Sequence, residues 1–341
     1  MSEKKKTAPI EPPFNESQTS KTDVSSCTHY TPNLQSVQDE LAKKFVSKKN
    51  WSEVLSQTYS LLSLDKRAYR VGQCGSILEF KVYFDGETPH KLNKANFCRD
   101  RLCPMCNWRR SLKIMGQVSQ IMNAPQMAEF EYLFLTLTVK NCSAADLQNS
   151  VQKLFDGWRY LYNKNSVFKK AIQGTFRSFE ITRNGKDGTY HPHLHCILAV
   201  LPSYFKSRYY ISQAEWSALW QKACGLEYNP IVHIQKVKDN GKGLSGVVAE
   251  VAKYAVKGSD MLDKDDIEKN ISVVSDFLKS LTGRHLCSFT GVFQEVRRQL
   301  KLDDAENGDL VHTSDEDLRE DVAYAIVRFG WKMGSYVQVF D

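Results

Sequence analysis

A hairpin whose second strand carries three histidines constrains the fold of this chain more than any other feature. Residues 184–188, Asn-Gly-Lys-Asp-Gly, have the composition of a turn and separate two segments of strand character, 174–182 and 189–201. The second segment contains His191, His193 and His195. Because alternate side chains of a strand point to the same face, the sequence predicts that the three imidazoles lie side by side.

The three histidines offer a ligand set for one divalent metal ion. Single His-x-His pairs occur in strands that hold no metal, but three alternating histidines favour a metal site. Pro192 cannot donate a hydrogen bond to a neighbouring strand, so this strand starts at an edge or a bulge. We therefore predict a metal site at the rim of a sheet, with His193 and His195 as ligands.

Three cysteines close together predict a second metal site. Cys98, Cys103 and Cys106 place three thiols in one loop, and soft ligands at this spacing favour zinc. A tetrahedral site needs a fourth ligand, for which Cys74 is the first candidate and His90 the second. A structural zinc would order a region that has few apolar residues of its own.

Basic residues crowd around the cysteine cluster and continue into a predicted helix at residues 107–122. A rigid basic helix is a common way to contact a phosphate backbone, although a solvated basic face would have the same composition. The net charge of +7 is only moderately basic, so the clustering carries the argument. The predicted DNA-binding residues of this cluster are Arg99, Arg101, Arg109, Arg110 and Lys113.

A second helical pattern, at residues 246–257, places a tyrosine between a carboxylate and an ammonium group. Glu250, Tyr254 and Lys257 fall on one helix face because they are spaced four and three residues apart. The phenol can attack a phosphate, the carboxylate can accept a proton, and the lysine can neutralise a phosphate oxygen. The same spacing is also ordinary on helix surfaces, so the spacing alone leaves both interpretations open.

Length and composition limit the class of protein. The chain has 341 residues, with 42% hydrophobic and 25% charged residues, which is the profile of a globular protein large enough for two domains. No apolar run approaches the ~20 residues of a membrane span, and residues 1–6 lead into no apolar signal segment. We expect a cytoplasmic protein without membrane contact, whose nine cysteines are metal ligands or free thiols.

The order of predicted elements indicates an α+β fold, in which helices flank a central antiparallel sheet and a zinc knuckle is inserted. Residues 1–33 are rich in Ser, Thr, Pro and Lys and are expected to be a disordered tail. Residues 34–130 are expected to form a helical and zinc-knuckle region, and residues 131–260 the core that carries the histidines. Residues 261–341 form a C-terminal region whose role the sequence leaves open.

Three segments together resemble the replication initiator proteins of rolling-circle plasmids, which belong to the HUH endonuclease superfamily. The segments are 95–110 with Cys74 upstream, 179–195 with its His-Leu-His motif, and 250–257 with its tyrosine. Residues 134–139 are also similar to the first strand motif of that family. The resemblance runs in the expected order from about Cys74 to Lys257, and the combination is far more specific than any single motif.

The resemblance implies a nicking and closing endonuclease of the single-tyrosine type. Tyr254 would be the nucleophile, Glu250 would assist the terminating cleavage, and Lys257 would neutralise phosphate charge. A catalytic Mg²⁺ or Mn²⁺ would be held by His193, His195 and a polar residue of a neighbouring strand. Glu180 is the candidate for that residue, His191 joins the predicted ligand set, and Lys253 joins the predicted DNA-binding set.

The reaction implied by the resemblance is transesterification at a plasmid origin. The origin is double-stranded, and the strand to be nicked is extruded as a single strand. Attack by Tyr254 gives a 5′-phosphotyrosine and a free 3′-hydroxyl, which host polymerase extends. No phosphate-binding loop of the helicase type occurs in the sequence, so a host helicase is expected to be recruited. The oligomeric state, including a homodimer, stays open.

Other functions use parts of the same pattern. A single-tyrosine transposase or a plasmid relaxase shares the chemistry, although a tyrosine that follows the histidines disfavours a relaxase. A metal-dependent oxygenase could use His193, His195 and Glu180 as a facial triad, and would need neither the cysteines nor Tyr254. A DNA-binding protein without catalysis would keep the zinc site and tolerate loss of the histidines.

Overall fold

The computed structural model of the chain describes residues 34–85, 88–237, 248, 261–313 and 322–340. The predicted tail, residues 1–33, lies outside this part. So does the predicted tyrosine helix, residues 246–257, apart from Val248. The described part consists of two antiparallel sheets and the helices that pack around them.

The strands are numbered in chain order. They are β1 Ile77–Tyr83, β2 Lys91–Ala95, β3 Glu131–Thr138, β4 Gly174–Arg183, β5 Tyr190–Val200, β6 Val232–Lys236, β7 Cys287–Gly291, β8 Tyr324–Lys332 and β9 Ser335–Val339. One sheet has five strands in the order β6-β3-β5-β4-β7, and the other has four in the order β2-β1-β8-β9.

The helices are numbered in the same way. They are α1 Leu34–Leu41, α2 Ser47–Leu61, α3 Asp65–Gly72, α4 Pro104–Asn123, α5 Ala144–Lys164, α6 Ser166–Ala171, α7 Gln213–Cys224, α8 Ile267–Leu281 and α9 Val292–Gln299. A π-helical turn, Ala42–Val46, joins α1 to α2, and short 3₁₀ helices occupy Pro125–Met127 and Pro202–Lys206. None of the described helices is both long and apolar enough to span a membrane.

The histidine hairpin, β4 and β5, lies at the centre of the five-stranded sheet. Its turn is closed by a hydrogen bond from the backbone N–H of Asn184 to the carbonyl of Thr189 (2.8 Å) and by one from Gly188 to the carbonyl of Asn184 (2.9 Å). Gly188 has φ +72°, a conformation that glycine adopts without strain. The predicted hairpin is therefore confirmed.

The face of the sheet opposite to the histidines is covered by α5. Ser143 caps this helix by accepting a hydrogen bond from the backbone of Asp146, as its position in the sequence predicts. Phe155 of α5 packs on Phe179 of β4, with ring centroids 5.2 Å apart. Phe179 pairs with Leu194 of β5, and both are buried. The helix therefore fixes the hairpin from behind and leaves the histidine face to the site.

Residues beyond 261 contribute strands to both sheets. β7 pairs with β4 at the edge of the five-stranded sheet, and β8 pairs with β1 inside the four-stranded sheet. The predicted α+β class with antiparallel sheet and flanking helices is confirmed, but the described residues form two sheets where one was expected. The second sheet escaped the prediction because its strands come from opposite ends of the chain.

Candidate functional site

The strand register brings one carboxylate and two imidazoles together on the face of the five-stranded sheet. Glu180 of β4 lies directly opposite His193 of β5, and residues opposite each other in an antiparallel pair share a face. Oε2 of Glu180 is 3.2 Å from Nε2 of His193 and 3.3 Å from Nε2 of His195. One ligand atom from each of the three residues lies within 4.8 Å of the others.

The carboxylate of Glu180 is held as an anion although it is buried. The exposed fractions of Glu180, His193 and His195 are only 3%, 7% and 6%. Burial raises the pKa of Glu180, but the hydrogen bonds and the charges of the two histidines more than offset this and hold the pKa well below its usual value. The cluster therefore presents a negative charge in a site from which water is largely excluded.

The outer nitrogens of both imidazoles have partners that orient the rings. Nδ1 of His193 is 3.0 Å from the carbonyl oxygen of His191, which can only accept, so this nitrogen carries the proton. Nδ1 of His195 is 3.2 Å from the hydroxyl of Thr136, and the ring stacks on Phe134 with centroids 5.8 Å apart. With the outer nitrogens engaged in this way, the inner nitrogens face Glu180, which is the side from which they would ligate a metal ion.

This arrangement fits a divalent metal ion. Two imidazole nitrogens and a carboxylate oxygen converge, and all three can serve as ligands of one cation. A histidine ligand whose other nitrogen is hydrogen-bonded is the usual arrangement at protein metal sites. Nitrogen donors suit Mn²⁺ better than Mg²⁺, which prefers oxygen ligands.

Of the predicted ligands, the structure brings together Glu180, His193 and His195. His191 occupies the neighbouring position on the same face, with its ring centroid 5.2 Å from that of His193, but its imidazole is not part of the cluster. Its contribution is the carbonyl oxygen that orients His193. Burial and the charges of the two neighbouring histidines lower the pKa of His191.

Thr136 and Phe134 were missed as site residues in the sequence. Both lie on β3, and Thr136 pairs directly with His195 in the β3–β5 register. The alternation of residues 134–139 predicts a strand, but not which strand it pairs with or in what register. The contact between Thr136 and His195 could have been predicted only if β3 had been known to pair directly with β5.

The four predicted cysteines form the second cluster. The sulfur atoms of Cys74 and Cys106 are 3.5 Å apart, those of Cys98 and Cys106 are 3.6 Å apart, and Cys103 completes a group within 4.8 Å. His90, the second candidate for the fourth ligand, instead lines a separate cavity of about 360 Å³. Four sulfur ligands at this separation can hold one tetrahedral metal ion.

Backbone N–H groups point at the sulfur atoms of the cysteine cluster. Backbone N–H groups of Arg99 and Asp100 donate to the sulfurs of Cys106 (3.2 Å) and Cys98 (3.4 Å). Arg99 adopts φ +59° to direct its N–H inward. The buried Lys49 stands nearby: burial lowers its pKa, and the charges of Glu53 and of the cysteines oppose that effect. Its ammonium group offsets part of the negative charge of metal-bound thiolates.

The basic residues of α4 are not displayed on the surface, and this corrects the expectation of a basic helix facing DNA. The exposed fractions of Arg109, Arg110 and Lys113 are 7%, 3% and 2%. Arg109 donates to the carbonyls of Leu310 (2.8 Å) and Val311 (2.6 Å). These side chains hold residues 303–313 against the helix, so their donors are already used inside the protein.

Arg110 and Lys113 also direct their charged groups to partners inside the protein. Arg110 donates to the backbone carbonyls of Glu306 (2.9 Å), Asp100 (3.0 Å) and Arg99 (2.6 Å). Lys113 forms an ion pair with Asp303. A helix with exposed basic side chains and a helix whose basic side chains bind a neighbouring segment can have the same composition. Only the position of residues 303–313 distinguishes the two cases in this protein.

The remaining predicted DNA contacts differ from one another. Arg99 is exposed and makes one long contact, 3.4 Å, to the carbonyl of Asn307. Arg101 is half-buried and donates to the carbonyls of Leu281 (2.8 Å) and Arg284 (2.7 Å). Lys253 lies outside the described residues.

The predicted nucleophile and its neighbours also lie outside the described residues. They are Tyr254, Glu250 and Lys257. Between residues 238 and 260 the structure describes only Val248, whose side chain is buried. The position of the tyrosine relative to the histidine cluster therefore stays a prediction.

Comparison with known proteins adds independent findings. Residues 89–337 match the sequence profile of a family described as "Replication protein". A protein named "Protein rep" from Lactiplantibacillus plantarum is 44% identical over 260 residues, which cover 74% of this chain and 80% of that protein. Proteins of the same name from Streptococcus pneumoniae and Lentilactobacillus hilgardii are 41% and 40% identical, over 76% and 85% of their own lengths and 72% and 78% of this chain. No solved structure matches the chain significantly.

Proposed function

The chain belongs to the replication protein family, and from that membership we propose that it starts rolling-circle replication of a plasmid by nicking one strand of the origin DNA. The observation that carries the proposal is the buried cluster of Glu180, His193 and His195 on a central strand pair. The region matched by the family profile, residues 89–337, contains both this cluster and Tyr254. A metal site and a tyrosine nucleophile are the two parts that strand transfer needs.

Glu180, His193 and His195 hold the catalytic metal ion in this proposal. When bound there, a divalent cation supplies polarisation of the scissile phosphate and neutralisation of charge that develops on its oxygens. Thr136 and the carbonyl of His191 keep the two imidazoles in the orientation that binding requires. Burial of the cluster strengthens these electrostatic interactions because water is excluded.

Tyr254 carries out the strand transfer. Its phenolate oxygen attacks the scissile phosphorus, the bond from phosphorus to the 3′ oxygen breaks, and a 5′-phosphotyrosine and a free 3′-hydroxyl result. The phenolic proton passes to a base, for which Glu250 is the candidate, and Lys257 neutralises a phosphate oxygen. The phosphodiester energy is kept in the covalent bond, so attack by a 3′-hydroxyl can rejoin the strand without ATP.

The cysteine cluster has a structural role in this proposal. Cys74, Cys98, Cys103 and Cys106 bind zinc, which is the metal that four thiolates prefer in a closed tetrahedral site. Tyr59 and Arg67 fix the knuckle from outside by hydrogen bonds to Asp100 (2.9 Å and 3.0 Å).

The proposal also requires two host enzymes. Host polymerase extends the 3′-hydroxyl, and a host helicase opens the duplex.

An oxygenase that uses the same facial triad is the candidate from another class. Membership of the replication protein family argues against it, and so does the cysteine cluster, which oxygen chemistry does not need. A transposase or a relaxase would perform the same strand transfer. The names of the relatives, "Protein rep" and "Replication protein", favour replication over these two.

A covalent-adduct assay tests the proposal. Labelled single-stranded DNA from the origin of the element that encodes the protein is incubated with Mn²⁺, with Mg²⁺ or with EDTA, and protein–DNA adducts are separated in SDS. We expect an adduct that requires the metal and disappears in Tyr254→Phe. Tyr162→Phe is the matched control, because this exposed tyrosine of α5 lies on a helix behind the sheet.

The outcomes separate the parts of the proposal. An adduct that persists in Tyr254→Phe would move the nucleophile to another residue and keep the reaction. An adduct that forms fully in EDTA would remove the metal role of the histidine cluster. Absence of any adduct on either origin strand, with metal bound to the protein, would contradict the nicking function.

A further inference from the structure

Four exposed basic residues form a surface at the end of the five-stranded sheet that is far from the metal cluster. Lys169 and Lys170 are in the last turn of α6, and Lys206 and Arg208 follow β5. All four are exposed, and none of them forms an ion pair with a carboxylate in the part of the chain that the structure describes. We call these four residues the distal basic surface.

The ring of Tyr209 links the two halves of this surface. The ammonium group of Lys170 lies 5.6 Å from the ring of Tyr209, and the guanidinium of Arg208 lies 5.0 Å from the same ring. Arg208 also donates a hydrogen bond of 2.7 Å to the Tyr209 hydroxyl. Contacts between cations and ring faces of this kind stabilise the cation positions.

Topology places the distal basic surface well away from the histidines. The chain leaves the cluster at His195, runs to the end of β5 at Val200 and enters the 3₁₀ helix Pro202–Lys206. α6 leads into Gly174, which pairs with Ala199 at the same end of the sheet. The six residue steps from His195 to Leu201 span about 20 Å of extended chain.

We propose that the distal basic surface binds the phosphate backbone of the duplex DNA that flanks the nick site. This inference rests on the proposed function and adds a second DNA contact to it. Successive base pairs rise about 3.4 Å, so a separation of about 20 Å corresponds to about six base pairs. A duplex that runs from the cluster along the direction of β5 would therefore bring phosphates about six base pairs from the scissile bond to this end of the sheet, in the part of the origin that stays paired.

The surface suits a duplex backbone better than a single strand. Proteins that hold single strands offer open aromatic faces on which bases stack. Here Tyr209 is engaged by two cations, and Tyr210, which is 48% exposed, packs in a tilted contact against Tyr204 with centroids 5.4 Å apart, so a single partly open ring is offered. Exposed cations without counter-ions remain, and these recognise phosphate charge rather than bases.

The salt dependence of DNA binding tests the proposal. Affinity for a duplex fragment that carries the origin flank is measured between low and moderate salt by fluorescence anisotropy, with every variant made in the Tyr254→Phe background so that the DNA stays uncut. We expect Lys169→Gln/Lys170→Gln to lower the slope of log affinity against log salt by about 1.8, which is about 0.9 for each lost phosphate contact.

A matched pair of substitutions controls for the change in net charge. Lys153→Gln/Lys222→Gln also removes two exposed lysines, from α5 and from the last turn of α7. This control should keep the slope of the parent. Lys206→Gln/Arg208→Gln should lower the slope as Lys169→Gln/Lys170→Gln does, which guards against a local folding defect in either half of the surface.

Two results would overturn the proposal. One is an equal slope for the Lys169→Gln/Lys170→Gln variant and its control. The other is an equal loss of affinity for a short single-stranded origin fragment, which would assign the surface to the unpaired strand. Both can occur while the protein with intact Tyr254 still forms its adduct, so failure of this inference and failure of the nicking proposal are distinguishable.

Discussion

The hydroxyl of Thr136 lies 3.2 Å from Nδ1 of His195, while Nε2 of the same ring lies 3.3 Å from the carboxylate of Glu180. One residue of β3 and one of β4 thus hold opposite edges of an imidazole on β5. The ring cannot rotate without breaking one contact or the other. We therefore expect Thr136 to influence metal binding at the cluster although it is not a ligand.

Replacing Thr136 by valine should lower the affinity for Mn²⁺ by about 10- to 100-fold, the usual cost of removing an outer partner of a histidine ligand. Valine matches threonine in shape but cannot form the hydrogen bond with Nδ1 of His195. Calorimetric titration with Mn²⁺ measures the effect. Thr136→Ser keeps the hydroxyl and should retain affinity close to that of the parent, and equal affinities for the valine and serine variants would contradict the role.

His191 and His193 should respond differently to substitution by alanine. His193→Ala removes an imidazole of the cluster and should lower Mn²⁺ affinity by at least about 100-fold, because losing a ligand costs no less than losing its outer partner. His191→Ala keeps the backbone carbonyl that orients His193, so its affinity should stay within a few-fold of the parent. Comparable losses in both variants would place the His191 ring among the ligands.

Arg110→Ala should destabilise the protein by about 3 kcal/mol or more, since it leaves buried carbonyl groups without donors. The sequence-based interpretation of Arg110 as a phosphate contact expects the reverse, a weaker DNA complex and an unchanged melting temperature. Arg99→Ala is the control from the same knuckle, because Arg99 is exposed. Thermal unfolding and the salt slope of DNA binding decide between the two roles.

Cys106→Ser should abolish zinc binding, because the sulfur of Cys106 lies within 3.6 Å of two others, 3.5 Å from Cys74 and 3.6 Å from Cys98. Metal analysis by mass spectrometry should find about one zinc per chain in the parent and none in the variant. Cys142→Ser is the control, since Cys142 is buried outside the cluster. Loss of zinc from Cys142→Ser, or retention in Cys106→Ser, would contradict the assignment.

The local parts of this protein could be predicted from sequence because each depends on near neighbours. The β4–β5 hairpin follows from its turn and from alternation, and the capping box of Ser212 and Glu215 marks the start of α7. The pairing of Glu180 with the histidines follows from the same hairpin. Cys74 joins the other cysteines across an intervening segment of only 23 residues.

The remaining parts depend on contacts between distant segments. Burial of Arg109 is decided by residues about 200 positions later, which no local pattern reveals. The role of Thr136 depends on the register between β3 and β5, 59 positions from His195. A basic helix has one composition whether its charges face solvent or the carbonyls of a returning segment, so composition alone led to the wrong surface.

The pairing of β1 with β8 has a consequence for synthesis of the protein on the ribosome. Glu79 and Arg328 are joined across 249 positions, and at about 5–20 residues per second translation needs on the order of ten to fifty seconds to cover that distance. During this interval one edge of β1 has no partner, and an open edge invites aggregation. The cysteine cluster spans only 32 positions between Cys74 and Cys106. A zinc ion bound there would therefore be captured early and would hold the nascent N-terminal region together until the last strands are synthesised.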